Sequence, residues 1–260
     1  MAEVPAAPSK GMTTAFRVVA GLFGVLGIVA TVLLTIPVFT DDAEKVHSFH
    51  NLGSFPALVF LLGFPLVILA IRPTDVVALR IAWAATIGSV IAGIVGQDFV
   101  SGSYFVAPIV FIVLTILAPT RGHLLRLGSP NFAMLMLAVI AAIPTIVYVW
   151  DNARIMLQGD PMTDVTGHWK YHHWSGIAGS ALSLVLCAAV VSFRTEGDRM
   201  WTWIMGLSVM LFGVVGITYA DDRAYPSSIG SLWGVLALFL GLAYLVVAEV
   251  STPAQVHDMA

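Results

Sequence analysis

Histidine and carboxylate residues form two short clusters in this chain, and these residue types bind transition metals. The first cluster contains Glu44, His47 and His50 at intervals of three residues. On a helix, their side chains would spread over about 120° of the surface. The second cluster uses intervals of four residues, which keep side chains on one helix face with a drift of about 40° per step. Its members are Asp164, His168 and His172, followed directly by His173.

These residue types leave two cofactors open. Carboxylate and imidazole together are the ligands of zinc, copper and non-haem iron, and all seven residues of the two clusters are candidate metal ligands. Imidazoles from two helices are instead the usual ligands of haem b. The candidate haem ligands are His47, His50, His168 and His172. No catalytic residue is identified by either interpretation.

Both clusters also have simpler interpretations. Asp164 precedes the sixth apolar segment, where a carboxylate often caps a helix. His168 stands among Trp169, Tyr171 and Trp174, and amphipathic rings of this kind anchor helices at a membrane surface. Five histidines in two clusters are harder to explain as anchors, and a shared cofactor site remains an alternative of equal weight.

Composition places the elements that carry these clusters in a membrane. Hydrophobic residues make up 58% of the chain and charged residues 10%, which excludes an ordinary soluble globule. Apolar runs approach the ~20 residues that a helix needs to span the hydrocarbon core of a bilayer. There are eight: 18–39, 50–71, 80–97, 102–118, 132–150, 173–193, 201–219 and 228–249.

Two stretches, 50–96 and 172–216, repeat one pattern. In both, a histidine stands 22 residues before an arginine, and a tryptophan stands 10 residues before the first of two glycines. The matching residues are His50 and His172, Arg72 and Arg194, Trp83 and Trp203, Gly93 and Gly213, and Gly96 and Gly216. The glycines predict that the third and seventh spans pack closely.

The repeat predicts how the two halves are arranged. Its offset of about 122 residues contains four spans, an even number, so both halves cross the bilayer in the same direction. We therefore expect an all-α integral membrane protein made of two parallel four-helix repeats. His50 and His172 should lie at equal depth. The predicted divisions are 1–13, a disordered cytoplasmic tail; 14–126 and 127–250, the two repeats; and 251–260, a C-terminal tail.

Basic residues predict the orientation. Eight of the twelve fall in the N-terminal tail and in the even-numbered loops, and four fall on the opposite side. Because cytoplasmic loops are enriched in lysine and arginine, we expect both termini in the cytoplasm of a plasma (inner) membrane protein. The two histidine clusters then face outward, on a side rich in acidic residues. No nucleic-acid-binding pattern is present, and the expected partners are the lipid bilayer and subunits of a membrane complex.

The motif Glu44-x-x-His47, at the start of the second helix of an eight-helix chain with two four-helix halves, resembles the haem A synthase family. The resemblance implies that architecture over nearly the whole chain. In that family, a histidine on the second helix of each half pairs with one on the fourth and holds haem for membrane haem oxidation. The fourth and eighth spans here contain no histidine. The pairs implied instead join the two halves: His47 or His50 with His168 or His172.

Three functions follow from these patterns. The leading hypothesis is an outward-facing cofactor site, metal or haem, for redox or metal-handling work, because ionisable groups at such positions are functional candidates. The first alternative is a membrane subunit or scaffold without a cofactor. The second is a transporter of a small solute or cation, which the nearly apolar middles of the spans disfavour.

Overall fold

The computed structural model describes residues 9–41, 47–98, 102–159, 173–194, 199–220 and 231–251. These residues form eight helices, which confirms the predicted all-α fold. In chain order the helices are α1 Lys10–Thr40, α2 His50–Ile71, α3 Val76–Val95, α4 Gly102–Leu117, α5 Phe132–Gln158, α6 His173–Ser192, α7 Arg199–Thr218 and α8 Ser231–Val250. Two strands of two residues each, β1 Ser129–Pro130 and β2 Phe193–Arg194, pair antiparallel. The first lies between α4 and α5, and the second lies between α6 and α7.

The helices are built for an apolar surrounding. Seven of the eight described helices are long and apolar enough to cross a membrane, and α4 is shorter. Large aliphatic side chains cover the outside of the bundle, for example Leu33 at 62% exposure on α1 and Ile143 at 67% on α5. Such a surface is compatible with contact to lipid chains and would be unusual on a soluble protein.

Two helices extend beyond their apolar runs. Residues 10–13, expected in the disordered tail, form the first turn of α1, where the Ser9 hydroxyl accepts a hydrogen bond from the backbone N–H of Met12 at 3.3 Å. α5 continues to Gln158, two turns past the predicted end of its span. Apolar runs mark the length that suits a bilayer, whereas helix ends are set by caps and loops.

Helix α2 is irregular, and its prolines explain why. Two segments, His50–Ser54 and Val59–Gly63, are π-helical, and each ends two residues before a proline, Pro56 or Pro65. A proline has no N–H and its ring collides with the carbonyl of the preceding turn. The turn widens in response, so that the N–H of Phe55 bonds to the carbonyl of His50, five residues back. Wide turns of this kind are frequent at functional sites.

The contacts between helices are similar in the two halves of the chain. Within the first half, α1 contacts α2 and α4, and α3 contacts α4; in the second half, α5 contacts α6 and α8, and α7 contacts α8. Between the halves, α3 contacts α6 and α2 contacts α7. Helices α2 and α6, which begin with His50 and His173, also touch each other. The exact division of the chain into repeats stays a prediction.

Glycines allow close helix pairs in both the third and the seventh span. In the seventh span the close contact is at the predicted Gly213, whereas in the third it is at Gly88, which was not among the predicted glycines. A Cβ added to Gly88 of α3 would lie 2.7 Å from the backbone nitrogen of Ser183 on α6. A Cβ added to Gly213 of α7 would lie 2.5 Å from the backbone nitrogen of Leu238 on α8. Backbones at these distances gain dispersion contacts that larger residues would prevent. Helix α3 thus packs closely against α6, and α7 packs closely against α8.

A buried arginine fixes the loop between α4 and α5. Arg80 of α3 is 5% exposed. Its guanidinium donates hydrogen bonds to the carbonyl oxygens of His123 at 2.7 Å and Leu124 at 2.9 Å, and to that of Arg126. A planar guanidinium suits this task because its five N–H groups can reach several acceptors at once. Arg80 therefore ties the start of α3 to the loop between α4 and α5.

We expect Arg80→Met to lower the free energy of unfolding by about 2 kcal/mol, because the carbonyl acceptors lose their charged donor. Thermal unfolding in detergent measures the effect. Arg126→Met is the matched control, since that side chain is exposed and only its backbone carbonyl binds Arg80. Equal melting temperatures for the two variants would contradict the role given to Arg80.

Candidate metal centre

Three histidines converge at one end of the bundle. His47 lies on the turn that leads into α2, and His50 is the first residue of α2. His173 is the first residue of α6. Their nitrogen ligand atoms all lie within 4.8 Å of one another. The ring centroids are 4.2 Å apart for His50 and His173, 5.1 Å for His47 and His50, and 5.3 Å for His47 and His173. Each half of the chain contributes to the cluster.

These distances suit a single small ion. Two imidazole nitrogens bound to one zinc ion at ~2.0–2.1 Å can be no more than about 4.2 Å apart. The observed upper limit of 4.8 Å is therefore within reach of small side-chain rotations. His50 is 1% exposed, whereas His47 and His173 are half-buried. The cluster thus has a buried side formed by His50 and a more open side.

All three members of the cluster were predicted as ligands from the sequence. The other four predicted ligands, Glu44, Asp164, His168 and His172, lie outside the described residues. Within the described part of the chain, the group of ligand atoms contains three imidazoles and no carboxylate or thiolate. Asp98 is buried at the same end of the bundle but is not part of that group.

The position of His50 depends on the irregular start of α2. Because residue 56 is a proline, the carbonyl of Asn51 has no N–H donor five residues later in its own helix. The hydroxyl of Thr35 on α1 supplies a hydrogen bond to this carbonyl at 3.1 Å, and shares its hydrogen with the carbonyl of Thr31 at 2.8 Å. Neighbouring groups can satisfy a backbone carbonyl that a proline has freed in a membrane helix. α1 therefore holds the π-helical segment that begins with His50.

The position of His173 depends on the close pairing of α6 with α3. The hydroxyl of Ser183 donates to the carbonyl of Ala85 at 2.7 Å, and the thiol of Cys187 lies 3.4 Å from the carbonyl of Ile81. A further contact joins α6 to α2, since the hydroxyl of Ser180 lies 3.3 Å from the carbonyl of Ser54. These bonds fix α6 against both neighbours along its length.

An aromatic ring closes the inner side of the cluster. The centroid of Phe55 lies 5.4 Å from that of His50 and 6.4 Å from that of His173, with both pairs edge-to-face. Edge-to-face geometry is the favourable arrangement for such rings. Phe55 is the residue whose N–H closes the wide turn of α2. The same irregular turn thus positions both His50, a candidate ligand, and Phe55, the apolar ring behind it. The role of Phe55 was not predicted from the sequence.

The C-terminus of α3 ends in a strained turn near this region. Gln97 has a φ of +52°, in the left-handed region that glycine prefers. The N–H of Asp98 bonds to the carbonyl of Gly93 at 2.8 Å, and that of Gln97 to Ile94 at 3.1 Å. This pair of bonds is a Schellman motif with glutamine in the glycine position. It turns the chain so that Asp98 becomes buried next to the end of α3.

Comparison with known proteins adds no relative: no family model, no curated protein and no solved structure matches the chain. The resemblance to haem A synthases stays a prediction from the sequence. What the chain can bind is therefore inferred from the geometry of the three histidines and from the side chains that hold them in place.

A double-mutant cycle tests how His50 is held. Thr35→Val should lower the free energy of unfolding by about 0.6 kcal/mol, the average for a side-chain hydrogen bond between membrane helices. In a Pro56→Ala background the effect should shrink, because residue 56 then offers Asn51 a backbone N–H. Equilibrium unfolding in mixed micelles measures all four proteins.

Thr40→Val is the control for this cycle, since the Thr40 hydroxyl bonds only to Ile36 of its own helix. Its effect should be the same in both backgrounds. If the Thr35 and Pro56 substitutions were simply additive, the proposed support of the Asn51 carbonyl would be refuted.

Proposed function

We propose that the protein is a membrane-embedded metal-binding protein whose centre is formed by His47, His50 and His173. The observation that carries this proposal is the approach of three imidazoles from two halves of the chain to within 4.8 Å. Histidine is the commonest metal ligand among the side chains, and three histidines form one of the recurrent zinc sites. The metal would join the two halves of the bundle at one end.

The donor set indicates which metals would bind. Three neutral imidazoles suit zinc, copper, nickel or iron, and they disfavour magnesium and calcium, which prefer oxygen ligands. Three protein ligands also leave a fourth tetrahedral position for water or a substrate, as in catalytic zinc sites. We therefore assign Zn²⁺ or Cu²⁺ as the bound ion, in a site for metal-dependent chemistry or metal handling.

The geometry supports a small ion better than haem. A haem bound by two histidines places the iron and the centre of its macrocycle between their rings. The rings of His50 and His173 are already in van der Waals contact, with centroids 4.2 Å apart. A single ion can lie at the ring nitrogens in this arrangement, but a macrocycle would first have to separate α2 from α6.

The helix directions support a site at the outer surface. Lys10, Arg72, Arg80, Arg121 and Arg126 lie at the end of the bundle opposite to the histidines. If the protein crosses the membrane with this basic end in the cytoplasm, as the distribution of positive charge favours, the histidines face the outside. A metal or substrate would then reach the site from there without crossing the apolar middle of the bundle.

Metal titration of the purified protein tests the proposal. After chelator treatment and dialysis in detergent, the protein should bind one Zn²⁺ or Cu²⁺ per chain. A saturating ion at 100 times its Kd should stabilise the fold by about 2.7 kcal/mol. His50→Gln and His173→Gln should each weaken binding by at least about 100-fold, the upper limit for changes outside the ligand set.

His123→Gln provides the matched control, because His123 is an exposed histidine in the loop between α4 and α5. It should bind metal as the unchanged protein does. Absence of stoichiometric metal binding, or an equal loss in the His123 variant, would overturn the proposal. A Soret band in the purified protein would instead favour haem.

A further inference from the structure

The first half of the bundle contains a partly open cavity whose lining includes none of the three histidines. Its volume is about 280 Å³, and it lies between α1, α2 and α3, with single residues from α4 and α6 at its edge. For scale, an apolar cavity of ~150 Å³ is large enough to hold benzene. The space therefore suits a ring system of about two fused rings.

Three glycines line this space, and one of them leaves its wall open. Gly27, Gly63 and Gly176 all line the cavity. A Cβ added at Gly176 would meet no atom within 4 Å. The wall is therefore open at this point because residue 176 has no side chain. Gly176 is also one turn after His173 on the same helix. The cavity thus begins directly beneath the histidine cluster.

The lining contains hydroxyl groups that can bind an acceptor. Thr31, Thr86 and Ser89 face an otherwise apolar wall. The Thr86 hydroxyl donates to the carbonyl of Ala82 at 2.8 Å. No hydrogen bond within the described part of the chain uses the hydroxyl of Thr31 or Ser89. Apolar walls with a few polar groups are the usual make-up of small-molecule sites.

The second half has filled the corresponding space. Its own cavity, lined by α5, α6, α7 and α8, measures about 50 Å³. At the repeat offset, Gly63 corresponds to Val185 and Ser89 to Val209, and both valines line the smaller cavity. A packing defect inherited from a common ancestor would be expected in both halves. Of these two cavities in the described part of the chain, the larger one lies in the half that also supplies two of the three histidines.

We propose that this cavity binds a lipid-soluble aromatic ketone or quinone, with the ring in the apolar space and a carbonyl oxygen accepting a hydrogen bond from Ser89. Phe55 lines the cavity and also contacts the rings of His50 and His173. A bound ring would thus lie one aromatic side chain away from the metal centre. The binding itself requires no metal.

Binding is measured by calorimetry on the chelator-treated protein in lipid nanodiscs, with empty nanodiscs subtracted. The probes are 2-acetylnaphthalene, an aromatic ketone, and 2-ethylnaphthalene, which has nearly the same shape without the acceptor. The ketone should bind at one site per chain and more tightly than the hydrocarbon. Ser89→Ala should weaken ketone binding about three- to tenfold, the value of one hydrogen bond, and leave hydrocarbon binding unchanged.

Gly176→Leu places a side chain at the open wall of the cavity and should abolish binding of both probes. Gly176→Ala is its matched control and should retain most of the affinity. If the leucine variant does not fold, the comparison of Ser89→Ala with the unchanged protein still decides the question. No saturable binding of the ketone, or an unchanged ketone affinity in the Ser89→Ala variant, would overturn the proposal, whatever the outcome of the metal titration.

Discussion

The close approach of α3 and α6 is the contact on which the rest of the structure depends. Gly88 brings the two backbones so near that an added Cβ would lie 2.7 Å from the nitrogen of Ser183. At this separation the hydroxyl of Ser183 reaches the carbonyl of Ala85. In a lipid environment, where the hydrophobic effect does not draw helices together, such packing and interhelical hydrogen bonds provide the association energy. Because α6 carries His173, this contact also sets one side of the histidine cluster.

The sequence predicts the eight helices because apolar length is a physical requirement of the bilayer and is visible in residue type. The sequence also identifies His47, His50 and His173 as candidate ligands, because metal ligands belong to few residue types and these histidines stand at helix starts. It could not predict that α1 begins at Lys10 or that α5 reaches Gln158, because helix ends depend on caps and loops. The sequence could not predict the cavity either, because the residues that line it come from helices distant in the chain.

The wide turns of α2 could be recognised only in part. Pro56 and Pro65 indicate irregularity, but a proline is compatible with a kink, a break or a π-helical turn. The choice depends on which neighbour can satisfy the freed carbonyl. Here Thr35 of α1 reaches Asn51, and the helix remains continuous. The result is a helix in which a candidate ligand, its apolar backing and one wall of a cavity are all determined by two prolines.

These turns also explain how His50 can lie level with His173, although the predicted repeat matches it to His172, which lies outside the described residues. An α-helix and a helix with π turns hold different numbers of residues in the same length, because each π turn accommodates one more residue. α2 contains two such turns between His50 and Arg72, whereas α6 is a regular helix throughout. His50 lies 21 residues before the end of α2 at Ile71, and His173 lies 19 residues before the end of α6 at Ser192. Two π turns account for this difference of two residues. Equal lengths of α2 and α6 therefore hold unequal numbers of residues, and the candidate site forms from two histidines that the predicted repeat does not match.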